Sequence, residues 1–177
     1  MKKATFKTAN AILIVALSLS TLFYSCSKDN SNSSSTPTAP SASGLAAGKC
    51  KITCNYSGAV SGSYTSMEIT SAAVKTSTYG TLSAAGMNGT TPLNCTITQP
   101  LSQTGKVSYK TLGSGLVNTI TFSVGGKGWI AVPGDDFTIE IAKNDGSVLE
   151  ATFSGTLTND TDKTTITITN GTIAGKY

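Results

Sequence analysis

From Lys49 onward the chain alternates apolar and polar residues with a period of two, and no stretch keeps a helical period. CKITCNY sets Cys50, Ile52, Cys54 and Tyr56 against Lys51, Thr53 and Asn55, and LNCTI puts Leu93, Cys95 and Ile97 on one face. KVSYKTL, NTITFSV, FTIEIAK, LEATFSGTL and TTITITN repeat the pattern. Alternation over four to eight residues is the mark of a half-buried strand, because successive side chains point to opposite faces. Short strands divided by Gly- and Asn-containing turns predict an all-β fold, an antiparallel β-sandwich or, as the alternative, a small β-barrel, over residues 49–177. The sandwich is the first expectation because each strand offers few core residues.

Two hairpins can be registered. Lys143-Asn144-Asp145-Gly146-Ser147 fits a three-residue loop closed by a left-handed glycine. Lys143 then faces Ser147, Ile141 faces Leu149, Ile139 faces Ala151 and Phe137 faces Phe153. That register sets Glu140 directly against Glu150, a weak candidate for cation binding or, at the carboxyl spacing of retaining glycosidases, for catalysis. Asn170-Gly171 fits either a two-residue turn pairing Ile168 with Ile173 or a bulge in one long strand.

The N-terminus carries an address. Lys2, Lys3 and Lys7 precede the apolar run Ala11 to Phe23, which is shorter than the roughly 20 residues that a spanning helix needs. A basic leader, a short apolar core and small residues after it describe a secretory signal, residues 1–25. Leu22-Phe23-Tyr24-Ser25-Cys26 resembles a lipoprotein signal, and SCSKDN is similar to lipoprotein starts from Bacteroidota-type bacteria. The resemblance implies cleavage before Cys26, acylation of its thiol and attachment to the outer membrane. The periplasmic face and the cell surface are both compatible with it. Two or more acyl chains anchor stably, at about 0.8 kcal/mol per buried methylene. Residues 26–48, rich in Ser, Thr and Pro after the acylated Cys, read as a flexible tether; some 22 residues reach about 25 Å on average.

Composition excludes much chemistry. The net charge of +4 rests mainly on the three leader lysines, and the rest of the chain is nearly neutral, so no nucleic-acid partner is expected. The sequence holds neither His nor Arg. Ser-His-Asp systems, His-ligated metals and bidentate Arg clamps are therefore outside its reach. No cofactor is expected.

Three cysteines remain beyond Cys26. Cys50 and Cys54 lie about 13 Å apart along one strand, beyond the ~7 Å between disulfide Cα atoms. An oxidising compartment favours a bridge from Cys95 to one of them, with Cys54–Cys95 the candidate; three buried thiols are the alternative. Trp129, set among Gly125, Gly126 and Gly128, is a candidate stacking platform for a glycan or protein ligand, extended by Tyr64, Tyr79 or Tyr109. A core tryptophan is the alternative. Asp135-Asp136 and Asn159-Asp160-Thr161-Asp162 read as turns that bond their own backbone.

GAVSGSYTS (58–66), GKVSYKTLGSG (105–115) and the run from LEATFSGTLTND to TTITITNGTIAGKY (149–177) are similar to a loose group of small secreted β lipoproteins. Ile173 stands where that group often has an aromatic residue. The resemblance implies the β fold and supplies no catalytic residues. A non-enzymatic binding or structural module at the outer membrane or cell surface is the expected function, with a carboxylate-only glycosidase as the alternative.

Overall fold

The computed structural model describes residues 37–112 and 118–177. The signal segment, Cys26 and the first part of the tether lie outside the described residues. Ten strands follow one another: β1 Lys49–Gly58, β2 Gly62–Lys75, β3 Tyr79–Asn88, β4 Thr91–Pro100, β5 Gly105–Ser108, β6 Thr119–Val124, β7 Lys127–Ala131, β8 Phe137–Asn144, β9 Val148–Thr158 and β10 Thr165–Lys176. A single 3-10 turn, Tyr109–Thr111, follows β5.

β10 pairs with β1 on one side and with β9 on the other, and this double pairing decides the architecture. The ring β10-β1-β2-β3-β4-β6-β7-β9 closes on itself as an eight-stranded antiparallel barrel. The pairings thus support the barrel, the second of the two expected architectures, rather than a sandwich. β8 and β5 extend the sheet from the first half of β9.

The period-two pattern fills the interior. Cys50, Ile52, Cys54 and Tyr56 of β1 are buried, as are Leu93, Cys95 and Ile97 of β4 and Ile166, Ile168 and Ile173 of β10. An eight-stranded ring is just wide enough for side chains to fill, so large inward groups need small ones opposite. Tyr64 lies over Gly86, where a Cβ would come within 2.9 Å of its ring. Its hydroxyl donates to the Ala84 carbonyl at 2.6 Å.

β2 departs from simple alternation. Its ladder with β3 jumps from Ser66–Gly86 to Ser71–Ala84, which leaves Met67 to Thr70 outside the wall. Ser66 Oγ accepts from Ile52 N at 2.8 Å and Ser71 Oγ from Cys50 N at 3.1 Å. Two buried hydroxyls thereby satisfy β1 donors that a continuous β2 would have met with carbonyls.

Two register expectations need correction or choice. β8 and β9 pair Ile141 with Ala151, Ile139 with Phe153 and Phe137 with Gly155, two residues away from the expected register. The cause is a wider turn: Asn144 faces Leu149, Asp145 Oδ1 accepts from Ser147 N and Val148 N, and an irregularity at Ala142 takes up one residue. At Asn170-Gly171 the bulge is what forms. β10 runs on, its pairing with β9 shifts between Ile168 and Gly171, and Asn170 takes φ 51°.

The last part of the expected tether is placed on the barrel. Ala42 is wholly buried and its N–H donates to Glu150 Oε1 at 2.7 Å. Gly48 N then donates to the Lys176 carbonyl at 2.8 Å and leads into β1.

Candidate functional site

The candidate aromatic platform at Trp129, Tyr64 and Tyr109 is not on the surface. Trp129 is 1% exposed, Tyr64 1% and Tyr109 0%. Trp129 sits opposite Phe122 in the β6–β7 hairpin, inside the barrel. Its neighbouring glycines serve the turn: Gly125 and Gly126, with φ 59° and 86°, link Val124 to its partner Lys127. Left-handed values at both central positions make a tight hairpin that glycine adopts without strain. Tyr109 packs edge-on against Phe137 and accepts a hydrogen bond from Gln99 Nε2 at 2.9 Å.

The carboxylate pair is likewise separated. Glu140 faces Thr152 on one side and Lys106 on the other, while Glu150 faces Lys143. The two acids therefore do not face each other directly, and the like-charge pair that the expected register implied is not formed. The acidic turns bond their own backbone, with Asn159 Oδ1 accepting from Thr161 N and Asp162 N. Lys127 and Thr164 hold the Asp162 carboxyl down to about 2.

Cys50, Cys54 and Cys95 are free buried thiols, the alternative to the expected Cys54–Cys95 bridge. Burial pushes Cys50 up to about 11, Cys54 up to about 12 and Cys95 well above the ordinary thiol value. Thiolates are the reactive form, so these sulfurs are inert in the folded chain. Unfolded thiols ionise near pH 8.5. A raised folded pKa means stability fully present below about 8.5 and lost as pH rises toward 11 and 12. The melting temperature is expected to fall above about pH 9 and to fall less steeply in Cys54→Ala. Ellman's reagent should react with these thiols only in denaturant.

Three turns meet at one end of the barrel and border an open, shallow cleft of about 730 Å³. Ser77, Thr78 and Tyr79 come from the β2–β3 turn, and Pro100 and Leu101 from the end of β4. Asn144 and Asp145 come from the β8–β9 turn. Asn144, 6% exposed, ties two of the turns together: its Nδ2 donates to the carbonyls of Pro100 at 2.7 Å and Gln103 at 3.1 Å. Asp145 is anchored by Ser147 Oγ at 2.6 Å, by the backbone N–H groups of Ser147 and Val148, and by Lys143 Nζ at 3.3 Å. These donors, Ser147 first, hold its carboxyl well below the usual carboxylate range. The cleft therefore carries a fixed carboxylate paired with Lys143, neutral hydroxyls and the half-buried Tyr79 ring. It can accept hydrogen bonds from a polar ligand and cover an apolar ligand face.

A second groove, about 480 Å³, crosses the outer face of β8, β9 and β10 beneath Pro37 and includes Lys106, Glu140, Thr138 and Asn170. Tyr79 is thus the one of the four named aromatic residues that reaches a cleft. Asn144 and Asp145 read in the sequence only as turn formers; their meeting with Tyr79 depends on strand pairing, which leaves no local signal. Comparison with known proteins finds no matching family model, no matching curated protein and no matching solved structure.

Proposed function

We propose that this chain is a lipid-anchored, non-enzymatic binding module of the outer membrane or cell surface, holding a polar glycan or protein ligand in the three-turn cleft. The anchoring half of the reading rests on the Leu22-Phe23-Tyr24-Ser25-Cys26 signal. The observation that carries the binding half is the convergence of Tyr79, Asn144 and Asp145 on one cleft. Loops set on a rigid barrel are where binding residues concentrate, and an amphipathic tyrosine beside fixed polar groups suits a ligand with both apolar and polar faces. The carboxylate-only hydrolase is the alternative reading; the one carboxylate pair considered for it, Glu140 and Glu150, is not directly opposed in the β8–β9 register.

Detergent-solubilised full-length chain should retain a ligand from a panel of immobilised glycans and peptides and release it chemically unchanged. Tyr79→Ala should weaken retention with the melting temperature held within a few degrees, and Cys26→Ser should leave the membrane fraction while binding as the parent does. Turnover of the ligand, equal binding by Tyr79→Ala, or a membrane-bound Cys26→Ser would overturn the corresponding half of the reading.

A further inference from the structure

The barrel wall is divided sharply by charge. β3, β4 and β6 are consecutive neighbours in the sheet, and none of their residues is Lys, Asp or Glu. The lysines and acids of the described strands fall on β1, β2, β5, β7, β8, β9 and β10.

The middle outward positions of the charge-free strands form rows of hydroxyls, with Ala85, Asn94, Pro92 and the exposed Met87 beyond them. Thr81, Thr98 and Thr119 face one another across the three strands, and Ser83, Thr96 and Thr121 do the same one pleat further. Adjacent strands lie about 4.8 Å apart and successive outward residues about 6.7 Å apart, so the six side chains make a regular lattice. Two cross-strand bonds fix it, Thr81 Oγ1 to Thr98 Oγ1 at 3.1 Å and Ser83 Oγ to Thr96 Oγ1 at 3.0 Å. Each hydroxyl has one hydrogen and two lone pairs, so each bonded pair still presents one donor and several acceptors outward. On β2 the rows continue into Val74 and Ala72, which are small and uncharged.

At its upper rim this face runs into the cleft. Tyr79 pairs with Pro100, both on the outward side of their strands, and both line the cleft. A ligand seated against the Tyr79 ring can therefore extend down the hydroxyl rows without leaving the surface.

We propose that this face is an extended binding surface for an uncharged polysaccharide, which enters the three-turn cleft at Tyr79 and lies along β3 and β4; the inference rests on the binding-module reading above. The chemistry selects the occupant. Acidic polymers are held by Lys and Arg, and these strands have none. Protein partners are anchored by large aromatic or Arg side chains in pockets, whereas the rows here are short hydroxyl and methyl groups. Covering an uncharged wall avoids the cost of desolvating ions. A polymer bearing many neutral hydroxyls can exchange its water for the donors and acceptors of the lattice while its apolar ring faces lie on methyls and on Tyr79.

The test is retardation of detergent-solubilised full-length chain in native gels cast with neutral polysaccharides (glucans, mannan, xylan) or with acidic ones (polygalacturonate, alginate). A neutral polymer should retard the parent. Thr96→Lys and the more exposed Thr121→Lys should each weaken retardation by about tenfold, equal to about 1.4 kcal/mol, with melting temperatures near that of the parent. Thr167→Lys, on the outward side of β10, should behave as the parent does. Parent-like retardation of both lysine variants, or retardation by acidic polymers alone, would overturn the inference. If peptides or acidic ligands bind and only Tyr79→Ala loses them, the binding-module reading stands and this extension fails. If no ligand of any class is retained, both fall.

Discussion

Replacing Trp129 by Ala is expected to lower stability by about 3–5 kcal/mol, the range for deleting a large aromatic side chain from a packed core. In a domain of this size that corresponds to a fall of roughly 10–20 °C in melting temperature. The indole is 1% exposed and lies opposite Phe122, whose ring meets Tyr56 at 5.2 Å and Tyr64 at 5.5 Å. Its removal would open a void in the core beside this aromatic cluster, within an eight-stranded wall that has little freedom to collapse. Trp129→Phe should cost less. It keeps most of the volume, and it removes an indole N–H that has no partner among the described residues. Urea midpoints for the two variants decide the matter: an unshifted midpoint for Trp129→Ala would mean that the ring does not occupy the core. Tyr79→Ala, on the surface of the cleft, should stay within about 1 kcal/mol of the parent.

The contrast between Trp129 and Tyr79 shows where the sequence was legible. CKITCNY, LNCTI and TTITITN are strands, and their apolar members face inward, because alternation is a local property that the pleat imposes. Whether such strands close into a ring or stack as two sheets depends on non-local pairing, here β10 taking both β1 and β9 as neighbours. The same period-two pattern serves either architecture. The inward residues of β3, Gly80, Leu82, Ala84 and Gly86, are small apart from Leu82, which suits a narrow interior. Trp129 could be read from the sequence as a surface platform or as a core residue, because three glycines surround it. Two of those glycines are spent on the left-handed conformations of the hairpin turn.

The candidate site was less legible for the same reason. Asn144 and Asp145 lie 65 or more positions from Tyr79 in the chain, and only the closed sheet brings their turns together. The Glu140–Glu150 pairing failed on a detail of turn chemistry. Asp145 captures the N–H groups of Ser147 and Val148, which moves the partner of Asn144 to Leu149. A slip of this size keeps the apolar faces matched, because side-chain facing repeats every two residues. The hydrophobic pattern therefore could not reject it. The charge-free wall, by contrast, is written in YGTLSAAGMN, TPLNCTITQP and TITFSV, and it takes on meaning once those strands are known to be neighbours.

Gly155→Ala is expected to destabilise the domain by about 2–6 kcal/mol, combining backbone strain of ~1–3 with overpacking of ~1–3. Gly155 has φ 137°, outside the range that L side chains adopt comfortably. A Cβ there would press on the carbonyl of Asp136 and come within 2.5 Å of Phe137 Cα. Both are backbone atoms, so no rotamer change relieves the contact. The position matters because β9 changes partners there. Up to Gly155, which faces Phe137, it pairs with β8; beyond it, Thr156 N donates to the Asp136 carbonyl at 2.9 Å and Thr158 faces Ile130 of β7. That transfer brings β7 to β9 and completes the ring. A side chain at Gly155 would push β8 away from β9 at the point where the barrel closes. Gly128→Ala is the control: its Cβ would meet nothing within 4 Å, and its φ is not in the left-handed range. It should change stability by no more than about 0.5 kcal/mol. Urea denaturation of the two variants beside the parent provides the measurement. Equal midpoints for Gly155→Ala and Gly128→Ala would mean that β9 does not hand over from β8 to β7 at this glycine, and the closed-barrel topology would have to be redrawn.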